Sequence, residues 1–424
     1  MAKIINMNDL CTIYMGITQN IIRNIEFASR ICYDANDKMT KDSWSSYIRA
    51  RVNSGHESVT EHGLISTIID FTATSVVTDF ATESSLTDWT TEEVHVIEEA
   101  LSCSNSLLHY VKEYPNRLDA MGKPILIISG NVKMWRDLFK YLFSNTLKQY
   151  RNGHGAVFSE IIKMFNLFNS YCDSIFTVDI PEMKLSQDFI QSSGYFSSNV
   201  KYRLVTKWKS VDIPQYDELD VLYSENGNEM RLLSLDNFAQ EFNTQMETPW
   251  YIKEFINQHA KDLYSVSYVV TMPRIITQQE ARHRINSISQ RSQRYVDEVE
   301  KDADFYVPKE INGYKYHDIS VDAVENIHES YTMHMTYNEF MQLSLKFYKA
   351  LREDNINKED ARFVLPNAIF SKMVVTKPFY TLPHYFKERC SDAAQKEIRE
   401  PARALRDYLN TRFSYVVQAG DKLF

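Results

Sequence analysis

The sequence predicts a mixed α/β (α+β) fold, and three observations carry the prediction. Apolar, β-branched runs at 64–77, 124–128, 264–271 and 369–376 read as strands. Between them lie stretches with apolar residues at helical spacing. The clearest is 131–150, with Met134, Leu138, Tyr141 and Leu142 on one face. At 424 residues and 44% hydrophobic, the chain can bury a large core, in two or three domains or in one domain with insertions.

Taken in order, residues 1–63 open the chain with short α/β structure. Asp42 is placed to N-cap a helix through Val52, and Gly55 to end it. Glu61-His62 then leads into the strand at 64–77. A helix is expected over 91–110, with Glu92 and Glu93 in its first turn. Ser129-Gly130-Asn131, with Trp135-Arg136 behind it, sits at a strand-to-helix junction. Such a junction either offers N–H groups to an anion or is an ordinary cap over a buried Trp135. A further helix is expected at 156–171. The stretch 200–247 is mixed, with a polar turn at Ser224-Glu225-Asn226-Gly227, and Pro249 starts a helix through Ala260. Pro273 starts a helix to Ile285. If the segment after it is extended, Gln290, Ser292 and Arg294 share one face. Helical stretches follow at 323–351, 381–390 and 392–410, the first stopped by Leu365-Pro366.

Composition narrows the function. The net charge of −9 argues against duplex nucleic acid as a partner, because that partner needs a basic face. No run of about 18 apolar residues predicts a membrane span, and MAKIINMNDL lacks the pattern of a signal segment. The five cysteines are odd in number and form no C-x-x-C pair, so free thiols and no bound metal are expected. The expected compartment is the cytoplasm, a host's if the source is a virus.

Against this acidic background, five arginines fall between Arg274 and Arg294, with Glu280 the only acid among them. Guanidinium forks of this kind hold phosphates, although salt-bridged surface turns also collect arginines. Arg282 and Arg284, two positions apart on a helix, would point to roughly opposite sides.

Four segments together resemble a known family. The first is Arg282-His283-Arg284, then after seven residues Ser292 and Arg294-Tyr295-Val296, with Gln279 three residues ahead. The second is GHESVTEHG, from Gly55 to Gly63. The third is Ala361-Arg362-Phe363-Val364-Leu365-Pro366. The last runs through Arg389 to Ala394-Gln395-Lys396-Glu397-Ile398-Arg399. Their order and spacing resemble the flavin-dependent thymidylate synthases, the ThyX family.

That resemblance implies a central twisted, mostly antiparallel sheet flanked by helices. It divides the chain into core 1–71, a mainly helical insertion 72–262 of unassigned role, and core 263–424. It implies reductive methylation of dUMP to dTMP, with 5,10-methylenetetrahydrofolate as carbon donor, FAD as hydride carrier and NADPH as reductant, in a homotetramer with shared sites. Arg389 would be catalytic. Gln279, Arg282, Gln290, Arg291, Ser292, Gln293, Arg294 and Arg362 would join it around dUMP. His56, Ser58, Arg282, His283, Arg284, Gln290 and His384 would hold FAD. Where the family often has Asn-Ala-Arg, this chain has Pro378-Phe379-Tyr380, and Asn131 with Arg136 offers replacement donors. Rival readings are a hydroxymethylase or dCMP-modifying enzyme on the same fold, and a silent nucleotide-binding or assembly protein.

Overall fold

A computed structural model describes residues 12–17, 21–73, 83–117, 120, 122–151, 201–204, 215–235, 248–299, 303–322, 330–414 and 422–424. In chain order the first elements are β1 (Thr12–Ile17), α1 (Ile21–Ile31), α2 (Ser43–Asn53), β2 (Leu64–Asp70), α3 (Glu83–Cys103), β3 (His109–Glu113), β4 (Ile125–Asn131) and α4 (Val132–Arg151). Then come β5 (Lys201–Leu204), β6 (Val221–Glu225), β7 (Asn228–Leu235), α5 (Trp250–Gln258), α6 (Ala260–Leu263), β8 (Ser265–Pro273), α7 (Arg274–Glu280) and β9 (Ser287–Gln290). The last are β10 (Tyr316–Asp322), β11 (Ser330–Thr336), α8 (Tyr337–Glu353), α9 (Lys358–Ala361), β12 (Phe370–Pro378), α10 (Leu382–Arg389) and α11 (Lys396–Arg412).

The mixed α/β expectation holds, with ten strands divided between two five-stranded sheets and β10 and β11 paired in a separate antiparallel ribbon. One has the order β3-β4-β2-β1-β5, the other β6-β7-β8-β12-β9. Pairing is antiparallel throughout except between β1 and β5. All seven residues of β2 are buried, because both faces of its sheet are covered. Ile65 and Ile69 face α3 and α4, while Ile68 faces the central core built on Val266, Tyr268 and Val270 of β8.

Helix α1 is the wedge between the layers, and all of its residues are buried. Ile21, Ile22 and Ile25 join the first sheet's core, whereas Phe27, Ala28 and Ile31 meet Val269 and Val374 of the second. Its one acid serves both of its arginines. Glu26 accepts from Arg23 Nη1 (3.0 Å), Arg30 Nε (2.9 Å) and Ser43 Oγ (2.6 Å). Arg23 also donates to the Thr40 carbonyl at 2.9 Å.

Several expected boundaries moved. Helix α2 begins after Asp42 as predicted, but Asp42 makes no side-chain cap bond. Gly55 does end the helix, at φ +80, with Gly55 N–H donating to Val52 O and His56 N–H to Arg51 O, both at 3.0 Å. The helix expected over 91–110 is α3, which ends at Cys103, and Tyr110 lies in β3. The polar turn is the two-residue hairpin Asn226-Gly227 between β6 and β7, both at positive φ. The long helix expected over 323–351 is replaced by β11 and α8, with a capping box of Thr336 and Glu339 at the junction. The helix expected at 156–171 lies outside the described residues.

The segment from α3 to α4 is tied to the rest by a chain of titratable groups. His109 of β3 binds Asp262 at 2.8 Å, Asp262 binds His259 at 2.9 Å, and His259 reaches Glu113 at 3.1 Å. Burial alone would lower the His259 pKa, but the Asp262 bond and the Glu113 carboxylate outweigh it and raise it above 6.5. Burial would raise the Asp262 pKa, yet the two histidines hold it well below 3.8. Stability from His259 is therefore full below pH 6.5 and is lost as pH rises through its raised value. The Asp262 contribution is present above pH 3.8 and is lost as pH falls through its depressed value. Protection of the β3 amides, measured relative to their intrinsic exchange rates, should be greatest between these limits and fall on the alkaline side. His259→Gln should abolish that alkaline loss of protection, and an unaltered alkaline loss in the variant would remove His259 from the docking.

Candidate active site

Arg389, the last residue of α10, is held from three directions. Its Nε donates to His283 Nε2 at 2.7 Å, Nη1 to Gln279 Oε1 at 3.3 Å and Nη2 to Gln279 O at 3.0 Å. Gln279 in turn donates to Gln395 Oε1 at 2.8 Å. A guanidinium has five N–H groups, so these bonds, among the described residues, leave one on each terminal nitrogen. The His283 ring stands edge-on to Tyr385 (4.8 Å) and lies 6.0 Å from the His384 ring. Burial first, then the Lys377 charge, lower the His283 pKa to about 4. The imidazole is thus neutral near pH 7 and accepts at Nε2, which puts its proton on Nδ1. The structure therefore brings together Arg389, Gln279, His283 and His384.

The remaining predicted arginines are arranged differently from the helical expectation. Helix α7 stops at Glu280, and Ile285 sits at φ +59. Arg282 and Arg284 therefore project from an irregular turn, both exposed. Neither has a side-chain hydrogen bond or ion pair among the described residues. The expected flat row Gln290, Ser292, Arg294 is broken as well. Strand β9 ends at Gln290, and the chain turns back with Tyr295 and Val296 N–H donating to Ser292 O. Gln290 Nε2 donates to Thr277 Oγ1 (2.8 Å) and Ser371 Oγ (3.1 Å), and Gln293 is buried.

Around this turn lies a cationic cluster. Arg291 pairs with Glu298 and reaches Asp34 at 4.0 Å. Arg294 pairs with Glu359 at 2.9 Å, and Arg362 Nε donates to the Glu359 carbonyl at 3.1 Å. Arg274 has a buried Nη1 without a hydrogen-bond partner among the described residues. Its charge is opposed by burial and by Arg362 and Arg291, with Glu298 alone in its favour. Such crowding suits a doubly charged phosphate.

A cavity of about 450 Å³ opens beside the turn. Its walls include Arg284 to Ser287, Thr376, Pro378 and Tyr380 on one side, and Asn131, Lys133 and Met134 on the other. The Asn131 Oδ1 caps α4 by accepting from Met134 N–H at 2.9 Å. The Tyr380 ring stacks on His109 at 4.0 Å. Arg136 turns away from this cavity: buried, it lies 3.8 Å from Glu57, beneath the short helix that carries Ser58. His56 and Ser58 are exposed and make no side-chain bond to the other predicted site residues.

Sequence reasoning left out three groups. His62 is buried and bridges Thr376 Oγ1 (3.0 Å) and Ser289 Oγ (2.9 Å), with burial lowering its pKa to about 3. Arg274 was visible only as one arginine of five. Lys377 forms a buried pair with Glu280, and the lone acid among the arginines was its one available signal. Among the described residues no cluster suits a metal ion, and no helix is long and apolar enough to cross a membrane.

The model of one family, thymidylate synthase complementing protein, matches residues 220–413. It begins ahead of the boundary expected at 263 and takes in Arg274, the arginine turn, Arg362 and Arg389. The flavin-dependent thymidylate synthase of Pyrococcus abyssi is 34% identical over 154 residues, which is 36% of this chain and 55% of that protein. That of Geobacter sulfurreducens is 37% identical over 142 residues, 34% of this chain and 53% of that protein. That of Clostridium tetani is 33% identical over 168 residues, covering 36% and 63%. The chain thus spans roughly half the length of the first of these relatives. Residues 220–413 are thus similar to the thymidylate synthase complementing protein family, and the relatives that this chain matches are flavin-dependent thymidylate synthases.

Proposed function

We propose that the protein methylates dUMP to dTMP, taking the carbon from 5,10-methylenetetrahydrofolate and using FAD reduced by NADPH. The observation that carries this reading is the Arg389 guanidinium, fixed by His283 and Gln279 with one N–H left on each terminal nitrogen for a ligand. Methylation at C5 needs a nucleophilic pyrimidine ring. A fork at the N3 and O2 edge favours the N3-ionised ring without a protein nucleophile. Cys390 is a poor alternative, since burial raises its pKa and disfavours the thiolate.

The phosphate of dUMP would be held by Ser292, Arg294 and Arg362, with Arg282 and Arg291 nearby and Gln279, Gln290 and Gln293 around the nucleoside. In that pose the phosphate displaces the exposed Glu359 carboxylate from Arg294. The cavity fits the ring portion of a flavin in size and in its mixed apolar and donor lining. His283, Arg284, Gln290 and His384 would hold FAD, with Arg282 free to reach its phosphates. When bound, reduced FAD supplies the hydride. A homotetramer with shared sites would bring His56 and Ser58 of one chain to the flavin of another.

The decisive experiment is mass spectrometry of products from dUMP, and separately dCMP, with methylenetetrahydrofolate, NADPH and FAD. The expected product is dTMP from dUMP alone. A protein that takes up no FAD, or one that yields only a hydroxymethyl product, would overturn the reading. Asn131→Ala should weaken FAD binding roughly tenfold, the worth of about one charge-assisted bond. Arg136→Ala should lower the melting temperature and leave FAD affinity unchanged. Equal FAD affinity in the parent and Asn131→Ala would remove the 131–134 wall from the site.

A further inference from the structure

We propose that the buried pair Glu280 and Lys377, clasped by Tyr268 and Tyr385, is a positioning device that sets the pose of Arg389 through His283. The pair joins the end of α7 to β12, its side chains only 3% and 1% exposed and 3.0 Å apart. Tyr268 of β8 donates to Glu280 Oε1 at 2.6 Å, and Tyr385 of α10 to Oε2 at 3.0 Å. Lys377 Nζ also lies 4.4 Å from the centre of the Tyr385 ring, which stands nearly perpendicular to the His283 ring. One carboxylate, at the end of the helix that carries Gln279 and three residues before His283, thus binds β8, β12 and the helix that carries Arg389.

Stability alone does not account for such a pair. Replacing a buried ion pair by apolar side chains is often neutral or stabilising. Its position suggests another use. Arg389 keeps its pose by donating to His283 Nε2, which requires a lone pair on that nitrogen. A protonated imidazole offers none and repels the guanidinium. The charged groups facing His283 are Lys377 on β12, Glu280 on α7, and Arg389 with His384 on α10. Lys377 is the strongest of these influences, and it opposes protonation. Glu280 keeps Lys377 charged in a buried setting, where an isolated ammonium would lose its proton.

The functional half of this inference rests on reading Arg389 as the pyrimidine fork; the His283 half stands on its own. The test follows imidazole titration by NMR in full-length protein labelled on histidine, with the His283 resonance assigned by its loss in His283→Gln. Lys377→Met should raise the His283 titration point by about one pH unit. The double variant Glu280→Gln/Lys377→Met, which leaves no unpaired buried charge, should lie between Lys377→Met and the parent. The acid limb of kcat should move with the titration in both, while KM for dUMP at pH 8 stays near the parent value. His283 titrating as in the parent in both variants, with only the melting temperature changed, would overturn the proposal. If Lys377→Met does not fold, the double variant decides by the same criterion. A shifted titration in a protein that makes no dTMP would leave this inference intact and overturn the proposed function instead.

Discussion

Arg389→Lys is expected to lower turnover of dUMP by on the order of 10²–10³ while FAD stays bound. Lysine keeps the positive charge but places it on a rotatable point donor. Its three N–H groups cannot satisfy His283 Nε2 and both Gln279 oxygens and still leave a donor for the pyrimidine. The loss should therefore fall on kcat and kcat/KM together, the pattern of an interaction made chiefly in the transition state. Steady-state kinetics with a parallel FAD titration would measure it. Turnover near that of the parent would take Arg389 out of the mechanism and the proposed chemistry with it.

Glu26→Ala should cost about 3–5 kcal/mol of folding stability. The carboxylate is fully buried between Arg23 and Arg30, whose side chains are 1% and 9% exposed. Its removal leaves two buried guanidiniums opposite an empty space, and also releases Ser43 at the start of α2. Typical domains are stable by only 5–15 kcal/mol, so this variant should be close to unfolding at moderate temperature. Glu26→Gln, which keeps an acceptor, should lose less. Urea titrations of the three proteins would rank them. A Glu26→Ala midpoint within the error of the parent would mean that α1 is held by its apolar contacts alone.

Much of this architecture was legible because local and global preferences agree. The strands at 264–271 and 369–376 combine β-branched composition with turn residues at their ends, and they became β8 and β12. The Asn226-Gly227 hairpin follows from two residues that tolerate positive φ. What stayed hidden was set by partners distant in the chain. Strand β2, LISTIID, has apolar residues at both even and odd positions, so its division between two cores could not be seen. At 330–336 the alternation of Tyr331, Met333 and Met335 with threonine and histidine was absorbed into the helix that follows it. In the site, the motif residues Gln279, His283, His384 and Arg389 do converge. Lys377 carried no local signal, because nothing near it in the chain announces that Glu280 lies opposite.

Helix α1 has a consequence for how the chain is made. It leaves the ribosome early, yet the strands that cover its far side, β8 and β12, are synthesised long afterwards. An 11-residue helix holds little structure alone in water. Until Val374 emerges, its apolar and charged side chains have only half of their final surroundings. Folding must then close very long loops before α1 is buried, which makes it slow and exposes the nascent chain to aggregation. Chains released before β12 should be taken up by chaperones or degraded, so this protein reaches its native state only after β12 has been made.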